Sequence, residues 1–255
     1  MKILKKSIFY FLEKVTTKEQ YQKILYLYSK HKQNKMFRNM SIEQRFSKVY
    51  NEHLWKDKNY KSKNYKFFSG SGSHEAEIIN PYIKVVSEFL KTLNKPTIVD
   101  AGCGDFNVGI NFIGLSSKYY AFDIFEDLIS LNKENFKFQN LIFEKKDIIK
   151  DFLPSADILF VRQVLQHLDN KSIKRFIQNI NNKYNFLIVT EHMPEGKFNP
   201  NLDKISGGFM GNFSGVILDK NPFNLDFIKK KELLEVPAGQ KRSDGVIKTI
   251  LYKLK

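Results

Sequence analysis

A glycine-containing turn follows a run of strand-forming residues near the middle of the chain, and its residue types suit ligand binding. Residues 100–105 read D-A-G-C-G-D and follow the strand-like residues 96–99. Glycine lets a backbone approach a ligand closely because no Cβ stands in the way. A second strand-like run, residues 118–122, ends in Asp123. An acidic residue about 20 positions after such a turn is placed to bind the two hydroxyls of a ribose, so the spacing predicts a cofactor that contains a nucleoside.

The residues around this turn argue against a dinucleotide. Dinucleotide sites use G-x-G-x-x-G and aim a helix N-terminus at a pyrophosphate. Here Gly102 and Gly104 are followed by Asn107 at the third position. Asp105 would also lie where the pyrophosphate belongs, and like charges repel. A cofactor without phosphate, carrying a sulfonium and an amino-acid tail, suits this acidic turn better.

With these residues the chain resembles the class I S-adenosylmethionine-dependent methyltransferases, whose first motif is commonly written D-x-G-C-G. The resemblance covers about residues 69–255. It implies S-adenosyl-L-methionine as the cofactor, with Gly102 and Gly104 at its amino-acid end. Ligands of open α/β sheets lie outside the carboxyl ends of the strands, so the residues just after each strand are the next candidates.

The residues after the second and third predicted strands are candidates for the nucleoside. The resemblance implies that Asp123 binds the ribose and that Ile124 lies against the adenine. In this family an acidic residue after the third strand holds the adenine amino group, and Asp147, followed by Ile148, stands there. Asp147 serves equally well as the N-cap of a helix, and the sequence leaves both interpretations open.

A second motif follows the fourth predicted strand. Residues 161–168 read V-R-Q-V-L-Q-H-L, and V-L-x-H-L after a strand recurs in small-molecule methyltransferases. Here the chain resembles a narrower group of bacterial methyltransferases found among sugar-modifying genes. The pattern of that group runs S-G-x-G-S, D-x-x-C-G-D-F-N, C-R-D-x-L-V-H-L and a late P-P-F-N-F. The four segments correspond to residues 69–73, 100–107, 161–168 and 221–225, in that order.

This narrower resemblance adds cofactor contacts, and two departures from its pattern matter for the chemistry. The further residues expected at S-adenosylmethionine are Ser71, Gly72, Ser73, Asp100, Arg162 and Gln163. Gln163 stands where the group has an acid, and residues 208–214 lack the Trp-Arg pair expected before the last motif. If that acid is the base or metal ligand of the group, this chain must use another residue.

Methyl transfer to a hydroxyl needs a base, and two histidines follow predicted strands. The transfer is an in-line displacement that requires alignment of the acceptor, exclusion of water and removal of a proton. Histidine suits proton removal because its ordinary pKa is about 6.5. His167 and His192 are both expected at the carboxyl edge of the sheet, with a structural role as the alternative for each. No Cys or His cluster has zinc spacing, and no metal ligands are assigned; a Mg²⁺ site built from Glu191 and nearby acids is an alternative without support in the sequence.

Strands and helices alternate from residue 96 onward, which predicts a parallel sheet. The last two strand-like runs, residues 233–236 and 246–252, are separated by a loop too short for a helical crossover. They should therefore pair antiparallel. We predict an α/β, Rossmann-like fold with a seven-stranded, mostly parallel sheet that ends in an antiparallel C-terminal hairpin and carries an N-terminal helical cap.

The basic charge is concentrated near the N-terminus. The formal net charge is +15, and residues 1–68 hold 17 Lys and Arg against 5 Asp and Glu. Together with helical periodicity in residues 3–50, this predicts a basic helical cap over residues 1–68 and a methyltransferase domain over residues 69–255. A focused positive field attracts phosphates, nucleic acid or an anionic membrane surface. A solvated, lysine-rich surface is the alternative.

The composition favours a reducing compartment. Cys103 is the only cysteine, which excludes an intramolecular disulfide and favours the cytoplasm. No apolar run approaches the roughly 18 residues of a membrane span, and the apolar stretch at residues 8–12 is too short for a signal peptide. Residues 1–15 are expected to form an amphipathic helix, for which peripheral membrane contact is one interpretation.

These patterns predict a cytoplasmic S-adenosylmethionine-dependent O-methyltransferase that acts on a sugar hydroxyl. The nucleoside cofactor follows from the residues, whereas the sugar follows mainly from the resemblance. The expected partner is a nucleotide-diphosphate sugar of capsule or lipopolysaccharide synthesis, or another anionic small molecule. The alternatives are an RNA methyltransferase, because aromatic residues are interleaved with the basic ones in residues 1–68, and a membrane-associated protein. Against RNA, no Asn/Asp-Pro-Pro-Tyr/Phe motif follows the fourth strand.

Overall fold

The computed structural model describes residues 10–55, 66–208, 213–239 and 245–255. Parts of four sequence predictions lie outside these residues: the start of the amphipathic helix (1–9), most of the exposed loop that the polar residues 56–66 predict (56–65), part of the segment 208–214 (209–212) and the hairpin loop (240–244). The chain divides into two compact units between Asn39 and Met40.

The first unit is helical in the part that the structure describes. Residues 10–15 are helical, and helix α1 (Lys18–Met36) follows. Thr17 begins α1 through a capping box. Its side chain accepts a hydrogen bond from the Gln20 amide, and the Gln20 side chain accepts one from the Thr17 amide. Helices therefore form here, where the periodicity of the sequence predicts them.

The second unit is built on a sheet of seven strands, whose bounds are β1 (Thr97–Ala101), β2 (Lys118–Asp123), β3 (Leu141–Lys145), β4 (Ala156–Arg162), β5 (Tyr184–Met193), β6 (Lys229–Pro237) and β7 (Val246–Lys253). The order across the sheet is β3-β2-β1-β4-β5-β7-β6. Neighbours from β3 to β5 are parallel, whereas β7 runs antiparallel to both β5 and β6. The predicted Rossmann-like sheet with its antiparallel C-terminal hairpin is confirmed.

Helices pack on both faces of this sheet. The described helices of the unit are α2 (Ile42–Asn51), α3 (Ala76–Lys91), α4 (Glu126–Asn135) and α5 (Asn170–Ile180). Helix α3 packs with Ile98 of β1 on one face, and α5 packs in the core of Val99 on the other. Successive residues of a strand point to opposite faces, so an uninterrupted apolar strand serves two cores. None of the helices described in either unit is long and apolar enough to span a membrane.

Helix α2 lies in the second unit, although the sequence placed its residues in the cap. Phe46 packs in the same core as α5, and Tyr50 packs with Phe67 and Phe125. The Tyr50 and Phe125 rings are stacked with their centroids 5.3 Å apart. The predicted boundary between cap and methyltransferase domain at residue 68 stays a prediction.

Candidate active site

Three loops meet beyond the carboxyl ends of β1 and β4. They are the glycine turn after β1 (residues 102–105), the segment 69–74 that leads into α3, and the turn after β4 (residues 163–168). Because β1 and β4 are neighbouring parallel strands, their carboxyl ends lie at the same edge of the sheet. The fold thus brings together three of the four motif segments recognised in the sequence.

Asp105 fastens the loop before α3 to the glycine turn. Its Oδ2 accepts a hydrogen bond from the Ser69 amide (3.0 Å) and lies 2.7 Å from His74 Nε2. The Asp105 amide donates in return to the Ser69 hydroxyl (2.8 Å), and Asn107 Nδ2 donates to the Ser73 carbonyl (2.7 Å). The His74 and Asp105 side chains are only 2% and 11% exposed. Asp105, the acid that disfavours a pyrophosphate, therefore also holds two loops together through buried hydrogen bonds.

Gly102 and Gly104 let the neighbouring loops pack closely. Their φ angles are +90° and +57°, in a region that glycine adopts without strain. A Cβ on Gly102 would lie 2.4 Å from Val164 Cγ2, and one on Gly104 would lie 2.4 Å from the Ser69 hydroxyl oxygen. Contacts between protein loops therefore require these glycines, in addition to any close approach of a ligand.

A cavity opens between this loop cluster and helix α2. Ile42, Phe46 and Tyr50 of α2, together with Trp55, form one of its walls. Most residues predicted from the sequence line it: Ser73, Asp100, Gly102, Gly104, Asp123, Ile124, Asp147, Ile148, Arg162, Gln163 and His167. Ser71 and Gly72 belong to the adjoining loop, whereas His192 is not among the lining residues.

Asp100 and Asp123 are buried carboxylates near the ends of β1 and β2. Asp100 accepts a hydrogen bond from the Tyr119 hydroxyl (2.9 Å). Asp123 accepts bonds from the amides of Gly104 (3.1 Å) and Phe125 (3.2 Å). Burial raises the pKa of Asp100 to about 7 and the pKa of Asp123 to about 6. Such carboxylates are stabilised in their charged form by a bound cation.

Asp147 begins a turn rather than a helix. Its Oδ1 accepts a hydrogen bond from the Ile149 amide (3.0 Å), and its carbonyl accepts bonds from the Lys150 and Asp151 amides. The other carboxylate oxygen lies 3.5 Å from Lys150 Nζ. Asp147 therefore caps a turn and also lines the cavity, so the capping and ligand-binding interpretations are compatible.

Arg162 holds the short helical segment Ser71–Ser73 from the end of β4. Its guanidinium donates to the Ser73 hydroxyl (3.1 Å) and to the Gly72 carbonyl (2.5 Å), and lies 4.9 Å from the centre of the Tyr82 ring. Burial lowers the pKa of Arg162, against the raising effect of nearby Tyr82 and Asp100. The Arg162 Nε is buried, and no described residue accepts a hydrogen bond from it.

Gln163 combines an unusual backbone with an unpartnered side chain. Its φ of +55° lies in the left-handed region, which residues with a Cβ adopt rarely. Its amide donates to the Thr190 carbonyl at 2.6 Å, which ties the strained residue to β5. The side chain lies over Gly72, and its buried Nε2 has no hydrogen-bond partner among the residues that the structure describes. Strained residues and unsatisfied buried donors concentrate at functional sites.

His167 is buried, and both of its ring nitrogens contact protein atoms. Nδ1 lies 3.3 Å from the Gly208 carbonyl, and Nε2 lies 3.3 Å from Gln166 Nε2. The ring packs against Trp55 with a centroid distance of 4.8 Å. Burial lowers the pKa of His167 to about 4, and the positive charge of Lys204 acts in the same direction. His167 is therefore neutral near pH 7, instead of titrating near 6.5 as an unperturbed histidine does.

His192 is turned toward β7. It pairs with Ile247 in the strand register, and a Cβ on Gly245 would come within 3.0 Å of its ring. The strand carries the neighbouring Glu191 on its opposite face, because side chains alternate along a strand. The geometry therefore gives no support to His192 as a base, and its catalytic role stays a prediction from the sequence.

Several residues that shape the cavity escaped the sequence analysis. Asn132 of α4 donates to the Gly104 carbonyl (2.8 Å) and so orients the glycine turn, yet no motif contains it. Phe46, Tyr50 and Trp55 form the α2 side of the cavity. Their apolar character is visible in the sequence, but nothing there indicates which surface such a helix covers, so the predicted cap includes them.

The lining carries more acidic than basic side chains. Four aspartates line the cavity (Asp100, Asp105, Asp123 and Asp147) against two basic residues (Lys146 and Arg162). This balance suits a ligand with a net positive charge. Within the described ranges, no group of three His, Cys, Asp or Glu side chains is arranged to hold a metal ion.

Comparison with known proteins gives matches in structure alone. No protein-family model and no curated protein matches the sequence significantly. Human N-acetylserotonin methyltransferase, solved with S-adenosylmethionine, aligns over 71% of this chain at 18% identity with a TM-score of 0.50. The chain covers 53% of the human protein, about half its length.

Two bacterial structures match over most of their own length. The N-methyltransferase NodS from Bradyrhizobium japonicum WM9, solved with S-adenosyl-L-homocysteine, aligns at 10% identity and a TM-score of 0.53, over 72% of this chain and 91% of NodS. The methyltransferase domain of bacterial CtHen1 aligns at 14% identity and a TM-score of 0.51, over 69% of this chain and 98% of that domain. At such identities the likeness establishes the fold, and the second unit has the fold of the class I S-adenosylmethionine-dependent methyltransferases.

The buried contacts of Asp105 with Ser69 and His74 predict how a substitution of Asp105 affects stability. Asp105→Ala leaves the Ser69 amide and the His74 ring without their buried acceptor, so the free energy of unfolding should fall by about 3 kcal/mol. Urea unfolding measures this change. Asp226→Ala is the control, because Asp226 is exposed in its pair with Lys255, and it should change stability by less than about 0.5 kcal/mol. Equal stability of the two variants would contradict the role given to Asp105.

Proposed function

We propose that this protein is an S-adenosylmethionine-dependent O-methyltransferase. The observation that carries the proposal is the cavity at the carboxyl edge of the sheet, where buried Asp100 and Asp123 flank a glycine turn. S-adenosylmethionine carries an ammonium and a sulfonium against one carboxylate, so its net charge is positive and fits the acidic lining. Two solved proteins of the same fold contain S-adenosylmethionine or S-adenosylhomocysteine, which supports the same ligand here.

The lining residues suit the chemical groups of this cofactor. Asp123 would bind the ribose hydroxyls, with the apolar Ile124 and Ile148 beside the adenine and Asp147 offering an acceptor to the adenine amino group. Gly102, Gly104 and Ser73 would surround the amino-acid end, and Asp100 would face its ammonium. The unpartnered Nε of Arg162 suits its carboxylate. When bound, the cofactor supplies a methyl group on a sulfonium sulfur.

His167 is the residue proposed to take the proton from the acceptor hydroxyl. It lines the cavity and is neutral near pH 7, so its base form needs no prior deprotonation. Its low pKa makes it a weak base. Proton removal would therefore accompany methyl transfer, when the hydroxyl becomes more acidic, rather than precede it. The apolar side chains of Phe46, Trp55 and Leu168 line the cavity and would help to exclude water from it.

We propose a sugar hydroxyl as the acceptor, on the basis of the four-segment resemblance. Three of these segments form the loop cluster at the cavity. The fourth, residues 221–225, is tied to it indirectly, because Asn201 Nδ2 donates to the carbonyls of Asn221 and Ile217, each at 3.0 Å. Asn201 begins the loop that reaches His167 through the bond from the Gly207 amide to the His167 carbonyl (2.7 Å). The arrangement supports a common role for the four segments.

The charges of the lining refine the expected acceptor. Lys146 is paired with Glu144, and the unpartnered Nε of Arg162 is the group proposed to bind the carboxylate of the cofactor. Neither is left for a diphosphate, and the four aspartates would repel one. We therefore propose that a neutral sugar enters the cavity and that the phosphates of a nucleotide-linked sugar stay outside it.

A cytoplasmic location, which rests on the single cysteine, is part of the proposal.

Cofactor binding is tested with two matched variants. Asp123→Asn removes the charge that would bind the ribose, so its dissociation constant for S-adenosylmethionine should rise by roughly 10–100-fold, the worth of a hydrogen bond to a charged group. Calorimetry measures this, and quenching of Trp55, the only tryptophan, gives a second readout. Asp127→Asn, an exposed residue of α4, should bind as the wild type does. Tight binding of NADH with no response to S-adenosylmethionine would refute the proposal.

The raised pKa values predict how this binding depends on pH. Asp100 and Asp123 gain protons as the pH falls through about 7 and about 6, and the protonated forms no longer attract a cation. Affinity for S-adenosylmethionine should therefore be highest above about pH 7 and weaken toward about pH 5. S-adenosylhomocysteine keeps the ribose hydroxyls and the ammonium that these two carboxylates would bind, so its affinity should weaken over the same range. An affinity for S-adenosylmethionine that is unchanged between about pH 7 and about pH 5 would contradict the electrostatic argument.

The acceptor is tested with labelled cofactor. Transfer of a radioactive methyl group should be seen with nucleotide-diphosphate sugars, and the product should keep the label after mild base, as an ether does and an ester does not. A panel with free sugars, an amine acceptor and RNA separates the alternatives. Transfer to RNA alone, with a strong dependence on salt, would show that the acceptor is a nucleic acid and not a sugar.

The base is tested by removing each histidine. His167→Ala should lower kcat by roughly 10²–10⁴-fold, the usual yield of general-base catalysis, with little change in affinity for S-adenosylmethionine. Because the pKa of His167 is about 4, the wild-type kcat should show no loss near pH 6.5 that originates from this residue. His192→Ala should keep near-normal kcat, since its ring faces β7. If His192→Ala loses kcat while His167→Ala stays active, His192 is the base and His167 is not.

A further inference from the structure

Gln166 lies between the end of β5 and the ring of His167. It is buried, with 8% of its surface exposed. Its Oε1 accepts a hydrogen bond from the His192 amide (2.9 Å), and its Nε2 lies 3.3 Å from His167 Nε2. The motif V-L-x-H-L leaves this position open, and the narrower pattern C-R-D-x-L-V-H-L has Val there, so the resemblance assigns no role to a glutamine.

Glu191 fixes the backbone of the same turn. It is 1% exposed, and its two carboxylate oxygens accept hydrogen bonds from the amides of Leu165 (2.9 Å) and Gln166 (3.0 Å). The charged groups that face this carboxylate are Lys204 and Arg162. Gln166 is therefore held at two points by β5, through its own amide and through its side-chain oxygen.

These contacts define which ring nitrogen of His167 carries the proton. A carbonyl oxygen only accepts hydrogen bonds, so Nδ1, which lies 3.3 Å from the Gly208 carbonyl, carries the hydrogen. Because the Gln166 oxygen already accepts from the His192 amide, its NH₂ group is the part that faces His167. Nε2 of His167 then accepts, and the lone pair of the neutral ring lies on that atom.

We infer that Gln166, held by Glu191 and the His192 backbone, is a positioning residue that keeps a lone pair on His167 Nε2. The inference rests on the proposed function, in which the acceptor hydroxyl replaces Gln166 as the partner of Nε2. The O–H bond then breaks as an Nε2–H bond forms. The freed electron pair on oxygen makes the bond to the methyl carbon, and the carbon–sulfur pair stays on sulfur.

The variant Gln166→Glu tests this inference because it places an acceptor where the wild type has a donor. Nδ1–H remains on the Gly208 carbonyl, and Nε2 faces a carboxylate, so the ring should hold two protons at about pH 7. Nitrogen NMR of histidine side chains should show one protonated nitrogen in wild-type His167 and two in the variant. The variant kcat should fall by roughly tenfold or more near pH 7 and recover as the pH rises, because the neutral base returns above the raised pKa.

Gln178→Glu is the matched control, since Gln178 is exposed on α5, and it should leave both the spectrum and kcat unchanged. A proton on Nε2 of wild-type His167 would overturn the inference, and so would a neutral ring in Gln166→Glu. The wild-type spectrum decides the first point even if the variant fails to fold. If the spectra are as expected but no acceptor is methylated, the positioning by Gln166 stands and the proposed reaction fails.

Discussion

The buried contact of Asp105 with Ser69 and His74 is the interaction on which the cavity depends. It joins the loop before α3 to the glycine turn, and this places Ser69 over Gly104. The same loop then offers the Gly72 carbonyl and the Ser73 hydroxyl to Arg162 at the end of β4. Each loop is thus held by another, and together they form one wall of the cavity.

The two buried aspartates favour the binding of a cation but lower the folding stability of the free protein at neutral pH. Burial raises the pKa values of Asp100 and Asp123 above those of an unfolded chain. Between about pH 4 and about pH 7 the folded state therefore binds more protons than the unfolded state, and stability from these groups falls as the pH rises. At neutral pH the free protein keeps two carboxylates in a buried environment that disfavours their charge. A bound cation reduces this unfavourable free energy. Sites of this kind are stabilised by the remainder of the fold.

The end of β5 shows how one strand serves two purposes at adjacent positions. Glu191 faces the turn after β4 and binds two of its amides, whereas the side chain of His192 lies against Gly245 beside β7. The backbone amide of His192 reaches the site through the oxygen of Gln166. The alternation of side chains along a strand therefore separates two residues that the sequence presents as equal neighbours of the site.

The sequence by itself determined the order of the strands along the chain, the antiparallel hairpin and part of the cavity lining, because these follow from local apolar patterns and from the rule that ligands lie at strand ends. It did not determine the protonation of His167, the position of α2 over the cavity, or the roles of Asn132 and Gln166. Those depend on burial and on contacts between residues far apart in the chain. Asp105 combines both kinds of information: its place in the motif is local, but its partners Ser69 and His74 are found only in the folded structure.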